Sequence, residues 1–161
     1  MPNTPVSLRP AVPGDEKNIV ALIRRIAEYE KLEDQVEVTP ELVRRYLFEE
    51  KLIFCLMAEH GGKAVGYALY FFNYSTFTGK PGLYLEDLFF LPEYRGLGGG
   101  TACFRALAKI AADKGCGRME WSCLDWNEPA RQFYKAMGAE PMEEWTVFRL
   151  NEAQIRRVAE E

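Results

Sequence analysis

The residues best suited to a chemical task are Tyr94-Arg95-Gly96-Leu97-Gly98-Gly99-Gly100-Thr101. They follow an apolar run, Leu83 to Phe90, that reads as a strand, and they open a helical pattern from Thr101 to Lys114. A glycine-rich turn at a helix start leaves backbone N–H groups converging on one point with no side chain in the way. The helix dipole adds partial positive charge there and Arg95 adds a full one, which suits a phosphate or pyrophosphate. Spacing narrows the class. A Walker A loop requires a lysine after its last glycine, yet Thr101 follows Gly100 directly. A Rossmann fingerprint read from Gly96 requires glycine or alanine at 101 and a place early in the chain. What is left is Arg-x-x-Gly-x-Gly, met by Arg95, Gly98 and Gly100, with a plain flexible turn as the bland alternative.

Glu86 is the second notable residue, a carboxylate in a strand otherwise made of Leu, Tyr and Phe. Such an acid is functional, paired in a salt bridge, or turned outward. Strand alternation sends its neighbour Asp87 to the other face. From Glu28 to Glu41 six acids stand against one base, Lys31, which is either a solvated helix end or a face for a cation. The four cysteines, Cys55, Cys103, Cys116 and Cys123, show no CxxC pairing, and His60 is the one histidine. That pattern predicts no metal site, free thiols and a cytoplasmic protein. No histidine base accompanies Cys103 or Cys123, which argues against covalent thiol catalysis.

These residues need a scaffold. At 161 residues, 48% hydrophobic and 27% charged, the chain is expected to form a single domain over 1–161, with residues 1–5 flexible and 151–161 a tail helix. Net charge of −4 argues against nucleic acid, and no apolar run approaches the roughly 20 residues of a membrane span. Neither nucleic acid nor membrane is expected as a partner. Val6 to Arg9 reads as a strand ended by Pro10. Asp15 reads as the cap of a helix with Ile19, Leu22, Ile23 and Ile26 inward, and Thr39-Pro40 as the start of another with Leu42, Val43, Tyr46 and Leu47 inward. Ile53 to Ala58 and Val65 to Phe72 read as a hairpin, followed by a loop from Asn73 to Gly82. Phe104, Leu107, Ala108 and Ala111 mark the core face of the helix after the glycine turn. Met119, Trp121 and Cys123 alternate as a strand. Ala130, Phe133, Tyr134 and Met137 form a helical stripe, Trp145 to Leu150 reads as a last strand, and Asn151 with Gln154 resembles a capping box. The order predicts an α/β fold (α+β by some schemes): a mixed, mostly antiparallel sheet of about six to seven strands flanked by about four helices.

Arg-x-x-Gly-x-Gly after a strand resembles the acetyl-CoA pyrophosphate loop of the GNAT acyltransferase superfamily. Leu8-Arg9-Pro10, Tyr29-Glu30-Lys31-Leu32, Tyr84-Leu85-Glu86-Asp87, Tyr94-Arg95-Gly96, Asp125-Trp126-Asn127-Glu128-Pro129 and Phe133-Tyr134-Lys135 resemble its diamine (polyamine) and thialysine N-acetyltransferase subfamily, in order and over nearly the whole chain. The resemblance implies a GNAT fold, acetyl-CoA as co-substrate, a small primary amine as acceptor, and a homodimer. It implies that the backbone of Leu88, Phe89 and Phe90 holds the pantetheine arm and that Arg95, Gly96, Leu97, Gly98, Gly99, Gly100 and Thr101 cradle the pyrophosphate. Asn127, Glu128, Pro129 and Ala130 match a second cofactor segment, although Asn127 also reads as a plain helix N-cap.

Tyr134 matches the family's general acid; spacing alone puts it on a core stripe. A departing thiolate, with a thiol pKa of about 8.5, can take a hydrogen bond or proton from a phenol of about 10. Glu86 matches the group that binds the acceptor ammonium and receives its proton, directly or through water. Tyr29 with Glu30, and Glu120 with Trp121 and Ser122, match substrate-contacting segments. Ser75 and Thr76 resemble the thialysine branch, where such a pair meets the amino-acid end, or are an ordinary loop pair. The expected reaction is direct attack by a lysine-like ω-amine, such as that of thialysine. A polyamine acceptor, or a module that binds acetyl-CoA or modifies protein lysines, is the alternative.

Overall fold

A computed structural model describes residues 5–160; Met1 to Thr4, part of the start expected to be flexible, and Glu161 lie outside the described residues. The chain falls into two compact units, one through Ser122 and one from Cys123.

The first unit is built on a five-stranded sheet in the order β1 (Ser7–Pro10), β2 (Phe54–His60), β3 (Lys63–Ser75), β4 (Lys80–Phe90) and β5 (Arg118–Glu120). All neighbours are antiparallel except β4 and β5, which are parallel. The turn between β2 and β3 is Gly61-Gly62, both at positive φ (57° and 78°), the backbone a two-residue hairpin needs. One face of the sheet carries α1 (Glu16–Glu30) and α2 (Pro40–Val43, continuing as a wider π turn over Arg44–Glu49). Ile19, Leu22, Val43 and Leu47 pack there on Cys55, Met57, Tyr67, Leu69 and Phe89. The other face carries α3 (Gly99–Lys114), whose Cys103, Leu107 and Ala111 pack on Leu56, Ala68, Leu83 and Leu85.

Helical periodicity read α1 correctly and α2 and α3 in part. Leu42 and Ala108 face outward, and Cys103 takes the place expected of Ala108. Asp15 holds the N-cap position without capping: its carboxylate accepts from Arg9 and from the Val12 amide instead. The loop expected over Asn73–Gly82 is mostly hairpin, because Asn73, Tyr74 and Ser75 pair with Gly82, Pro81 and Lys80. Gly82 is a close-approach residue rather than a breaker, since a Cβ there would strike the Asn73 side chain.

Two features of β4 matter for function. Its register against β3 slips between Leu69 and Tyr70, whose partners are Asp87 and Leu85, so Glu86 sits in a bulge without a partner. Alternation therefore breaks at Glu86. Leu83 and Leu85 face α3, whereas Phe89, four residues beyond Leu85, faces α1. The simple opposite-face relation expected of Glu86 and Asp87 does not carry through such a bulge. On its other edge β4 pairs with β5 only over Gly82–Tyr84. From Leu85 to Phe90 that edge has no strand partner among the described residues.

The second unit contains α4 (Glu128–Ala136) and α5 (Glu152–Glu160). Asn151 and Gln154 exchange side-chain hydrogen bonds to each other's backbone amide at 2.8 and 2.9 Å, the expected capping box. The strands expected through Cys123 and over Trp145–Leu150 are not formed: β5 stops at Glu120, and 145–150 is without strand pairing. The sheet thus has five strands among the described residues, not six to seven, beside five α-helices. No hydrophobic side chain after Ser122 is fully buried among the described residues, and Trp145, Val147 and Phe148 are 75%, 78% and 92% exposed. No helix among the described residues is long and apolar enough to cross a membrane.

Candidate active site

The glycine turn forms because two of its residues need left-handed backbone. Gly96 and Gly98 have φ of 78° and 79°, with nothing near the place a Cβ would occupy. Gly98 is the N-cap of α3 and no side chain caps it, so the first amides of a 16-residue helix are left to an external acceptor. Gly99 is glycine for another reason: a Cβ would lie 2.7 Å from the Phe90 ring, which packs beneath the turn. Arg95 donates to the Phe90 carbonyl at 3.1 Å, and its guanidinium lies 4.9 Å from the Tyr29 ring and 5.5 Å from Phe89. The arginine expected to serve an anion therefore also stacks on the aromatic residue expected to meet the acceptor.

The acids at the β4 bulge divide differently from their order in the sequence. Glu86 is exposed and Asp87 half-buried. Tyr67, fully buried on β3, donates its hydroxyl to Asp87 Oδ2 at 2.8 Å. Burial pushes the Asp87 carboxyl above its ordinary range; the Tyr67 hydrogen bond opposes this and the charge of Glu86 adds to it. Burial likewise raises Glu30, at the end of α1, and the charge of Asp87 raises it further. The Tyr67 phenol is held well above its ordinary value, first by burial and then by Asp87, so it stays a donor throughout the neutral range. Tyr67 goes unmarked in the sequence, and Asp87 reads there only as the neighbour of Glu86 on the other face. The available signal was a tyrosine in an apolar strand, whose buried hydroxyl requires a partner.

The remaining expected residues fall in three places. Tyr84 on β4 meets Ser122 across a 3.1 Å hydroxyl contact, Trp121 packs edge-on against Phe104, and Glu120 pairs with Arg118 at 3.0 Å. Ser75 is buried and its hydroxyl accepts from the Thr78 amide in the hairpin turn, beside exposed Thr76. By register Ser75 lies six strand positions beyond Leu69, the partner of Asp87, or about 20 Å along the strand. In the second unit Asn127 is a true N-cap, accepting from the Ala130 amide, with Glu128 and Pro129 in the first turn of α4. Tyr134 is half-buried, its ring edge-on to Phe133 at 5.5 Å. Cys55 and Cys103 are buried, their thiols pushed up to about 12 by burial, which suits packing rather than nucleophilic attack. No group of three or more metal-ligating side chains occurs among the described residues.

Comparison with known proteins fits this geometry. Residues 19–139 match the Acetyltransferase (GNAT) family. The chain is 43% identical to the thialysine N-epsilon-acetyltransferase of Bos taurus, covering 96% of this chain and 97% of that one. It is 34% identical to the human spermidine/spermine N(1)-acetyltransferase-like protein 1, over 94% of this chain but 23% of that longer protein. An integron cassette protein from the mobile metagenome of V. cholerae shares the fold, with a TM-score of 0.80 at 23% identity over 97% of this chain and 98% of that one. An uncapped glycine turn on α3, the interrupted edge of β4 and these full-length matches converge: the chain belongs to the GNAT acetyltransferase family, whose enzymes use acetyl-CoA as co-substrate, and it is an acetyltransferase.

Proposed function

We propose that this enzyme acetylates the terminal primary amine of a small lysine-like substrate such as thialysine, by direct attack on acetyl-CoA in a ternary complex. The observation that carries the reading is the full-length 43% identity to a thialysine N-epsilon-acetyltransferase, joined to a site whose acids lack a cation of their own. Glu30, Glu86 and Asp87 make no ion pair with any described residue.

The chain's residues suit acetyl-CoA. The open amides over Gly96–Thr101 and Arg95 serve the pyrophosphate, and the unpaired edge over Leu88–Phe90 offers backbone groups to the pantetheine amides. Asn127 to Ala130 are assigned to the same ligand. When bound, acetyl-CoA supplies the activated acetyl thioester. Glu86 takes the proton of the incoming ammonium, directly or through water, so that the nitrogen lone pair is free to attack. Tyr134 gives a hydrogen bond or proton to the departing sulfur. The N–C bond forms as the C–S bond breaks, and the second proton shed by nitrogen ends on the sulfur, or restores Tyr134 where the phenol has given its own, leaving the N-acetyl product and a free thiol. Tyr29 and Glu30 contact the acceptor, with Glu120, Trp121 and Ser122 flanking it. The 20 Å separation argues against Ser75 and Thr76 touching the same small amine within one chain. We assign the enzyme to the cytoplasm, which suits its free thiols, and to a homodimer, which would cover the exposed Trp145, Val147 and Phe148.

Thiol release from acetyl-CoA is the test, with thialysine, lysine, ornithine, putrescine and spermidine as acceptors. The expected result is a kcat/KM for thialysine at least about tenfold above that for spermidine, a factor equal to about 1.4 kcal/mol. A preference for spermidine overturns the lysine-like assignment in favour of polyamines. Absence of turnover with every amine overturns both. Tyr134→Phe should lower kcat while leaving CoA affinity, read by calorimetry, within about twofold.

A further inference from the structure

We propose that Tyr67 is a positioning residue for the acceptor amine: by donating to Asp87 Oδ2 it fixes that carboxylate beside Glu30 and Glu86, leaving Oδ1 to hold the ammonium group. This rests on the reading that an amine enters beside the β4 bulge and adds a residue pair to it. The geometry has three parts. The bulge at Glu86 resets the strand so that Asp87 is level with Leu69 and on the same face as Tyr67, towards α1. Tyr67 is 0% exposed, held between β2 and β4 on either side, so its hydroxyl has a fixed origin and its 2.8 Å bond fixes one oxygen of the acid. Oδ1 has no hydrogen-bond partner among the described residues.

Among the described residues, the groups whose electrostatics are coupled to Asp87 are uncharged or negative. Glu30 comes from α1, Glu86 from β4 itself, Tyr67 from β3, and the Cys55 thiol of β2 lies close enough to feel its charge. A half-buried carboxylate with negative neighbours would give up its charge as pH falls, and an acid that has taken a proton no longer attracts an ammonium. The Tyr67 hydroxyl counters this because a hydrogen bond donated to the ionised form stabilises that form. Phenylalanine in its place would keep the ring and lose only this bond.

The experiment compares wild type, Tyr67→Phe, Asp87→Asn and the double variant, using the best acceptor from the amine panel. For Tyr67→Phe the expected result is a KM for the amine raised about fivefold or more, with kcat and CoA affinity within about twofold. The acid limb of kcat/KM should move up by about one pH unit, the size of one charge-assisted hydrogen bond. In the Asp87→Asn background the same substitution should change neither quantity. A lowered melting temperature with KM and acid limb unmoved overturns the proposal and leaves Tyr67 a packing residue. If no amine is turned over, acetyl transfer to small amines is the reading that falls. The Asp87 titration, followed by NMR of 13C-labelled carboxyls, then decides: a midpoint raised in Tyr67→Phe upholds the positioning bond, and equal midpoints overturn it.

Discussion

The two ends of α1 hold acids in opposite circumstances, buried at its start and half-buried at its far end. At its start, Arg9 makes hydrogen bonds of 2.7 and 2.9 Å to the two oxygens of Asp15 and two more to Glu59 Oε1, while Arg44 approaches Glu16. The Arg9 hydrogen bonds hold Asp15 below the usual carboxylate range, against the cost of burial, and backbone donors do the same for Glu16. At its far end, Glu30 faces Asp87, both are pushed upward by burial, and no described residue pairs a cation with either. The first end carries its own counter-charge and fastens β1 and β2 to the helix. The second carries negative charge that the fold itself leaves uncompensated, which is what a site for an incoming cation requires.

Substitutions that remove one charge at each end should therefore act with opposite sign. Asp15→Asn, which leaves Arg9 with Glu59 as its one ion-pair partner among the described residues, should cost about 2–3 kcal/mol in urea unfolding at pH 7 while leaving acetyl transfer unchanged. A loss under about 0.5 kcal/mol would erase the distinction. Asp87→Asn should instead raise stability at pH 7 by about 0.5–1 kcal/mol, because a desolvated charge is removed, while weakening the acceptor. Destabilisation there would make Asp87 a scaffold acid like Asp15.

The pH dependence sharpens the same contrast. The folded pKa of Asp15 lies below its unfolded value of about 3.9, so its contribution is present above that value and lost as pH falls through the folded pKa. The folded pKa of Asp87 lies above the unfolded value, so the penalty is absent below about 3.9 and grows as pH rises through the folded pKa. The advantage of Asp87→Asn over wild type should shrink as pH is lowered from 7 towards 4, and the deficit of Asp15→Asn should persist across that window. Urea titrations at several pH values read both.

What the sequence made legible follows this division between local and non-local physics. The apolar stripe of α1, the glycine turn that opens α3 and the Asn151–Gln154 capping box depend on residues within a few positions of each other. Each is found as expected. The bulge at Glu86 depends on which β3 residue lies opposite, which no local pattern in β4 encodes. Trp145 to Leu150 has a strand's composition, but a strand exists only with a neighbour, and here no pairing supplies one. The same gap hid the Tyr67–Asp87 bond, because its partners stand 20 positions apart on different strands.

The smallest effect expected is that of Glu30→Gln, and it tests whether the far end of α1 is one electrostatic unit. Glu30 is only half-buried and accepts no hydrogen bond from a described side chain, so removing its charge should raise stability by no more than about 0.5 kcal/mol. Its effect should depend on Asp87, whose charge it feels. In Asp87→Asn, with the repulsion already gone, Glu30→Gln should add less than it does in wild type. A double-mutant cycle of melting temperatures at low salt reads the difference. Strict additivity would mean that the two acids act separately in the fold, whereas coupling that fades as salt is added would show that they form one electrostatic unit.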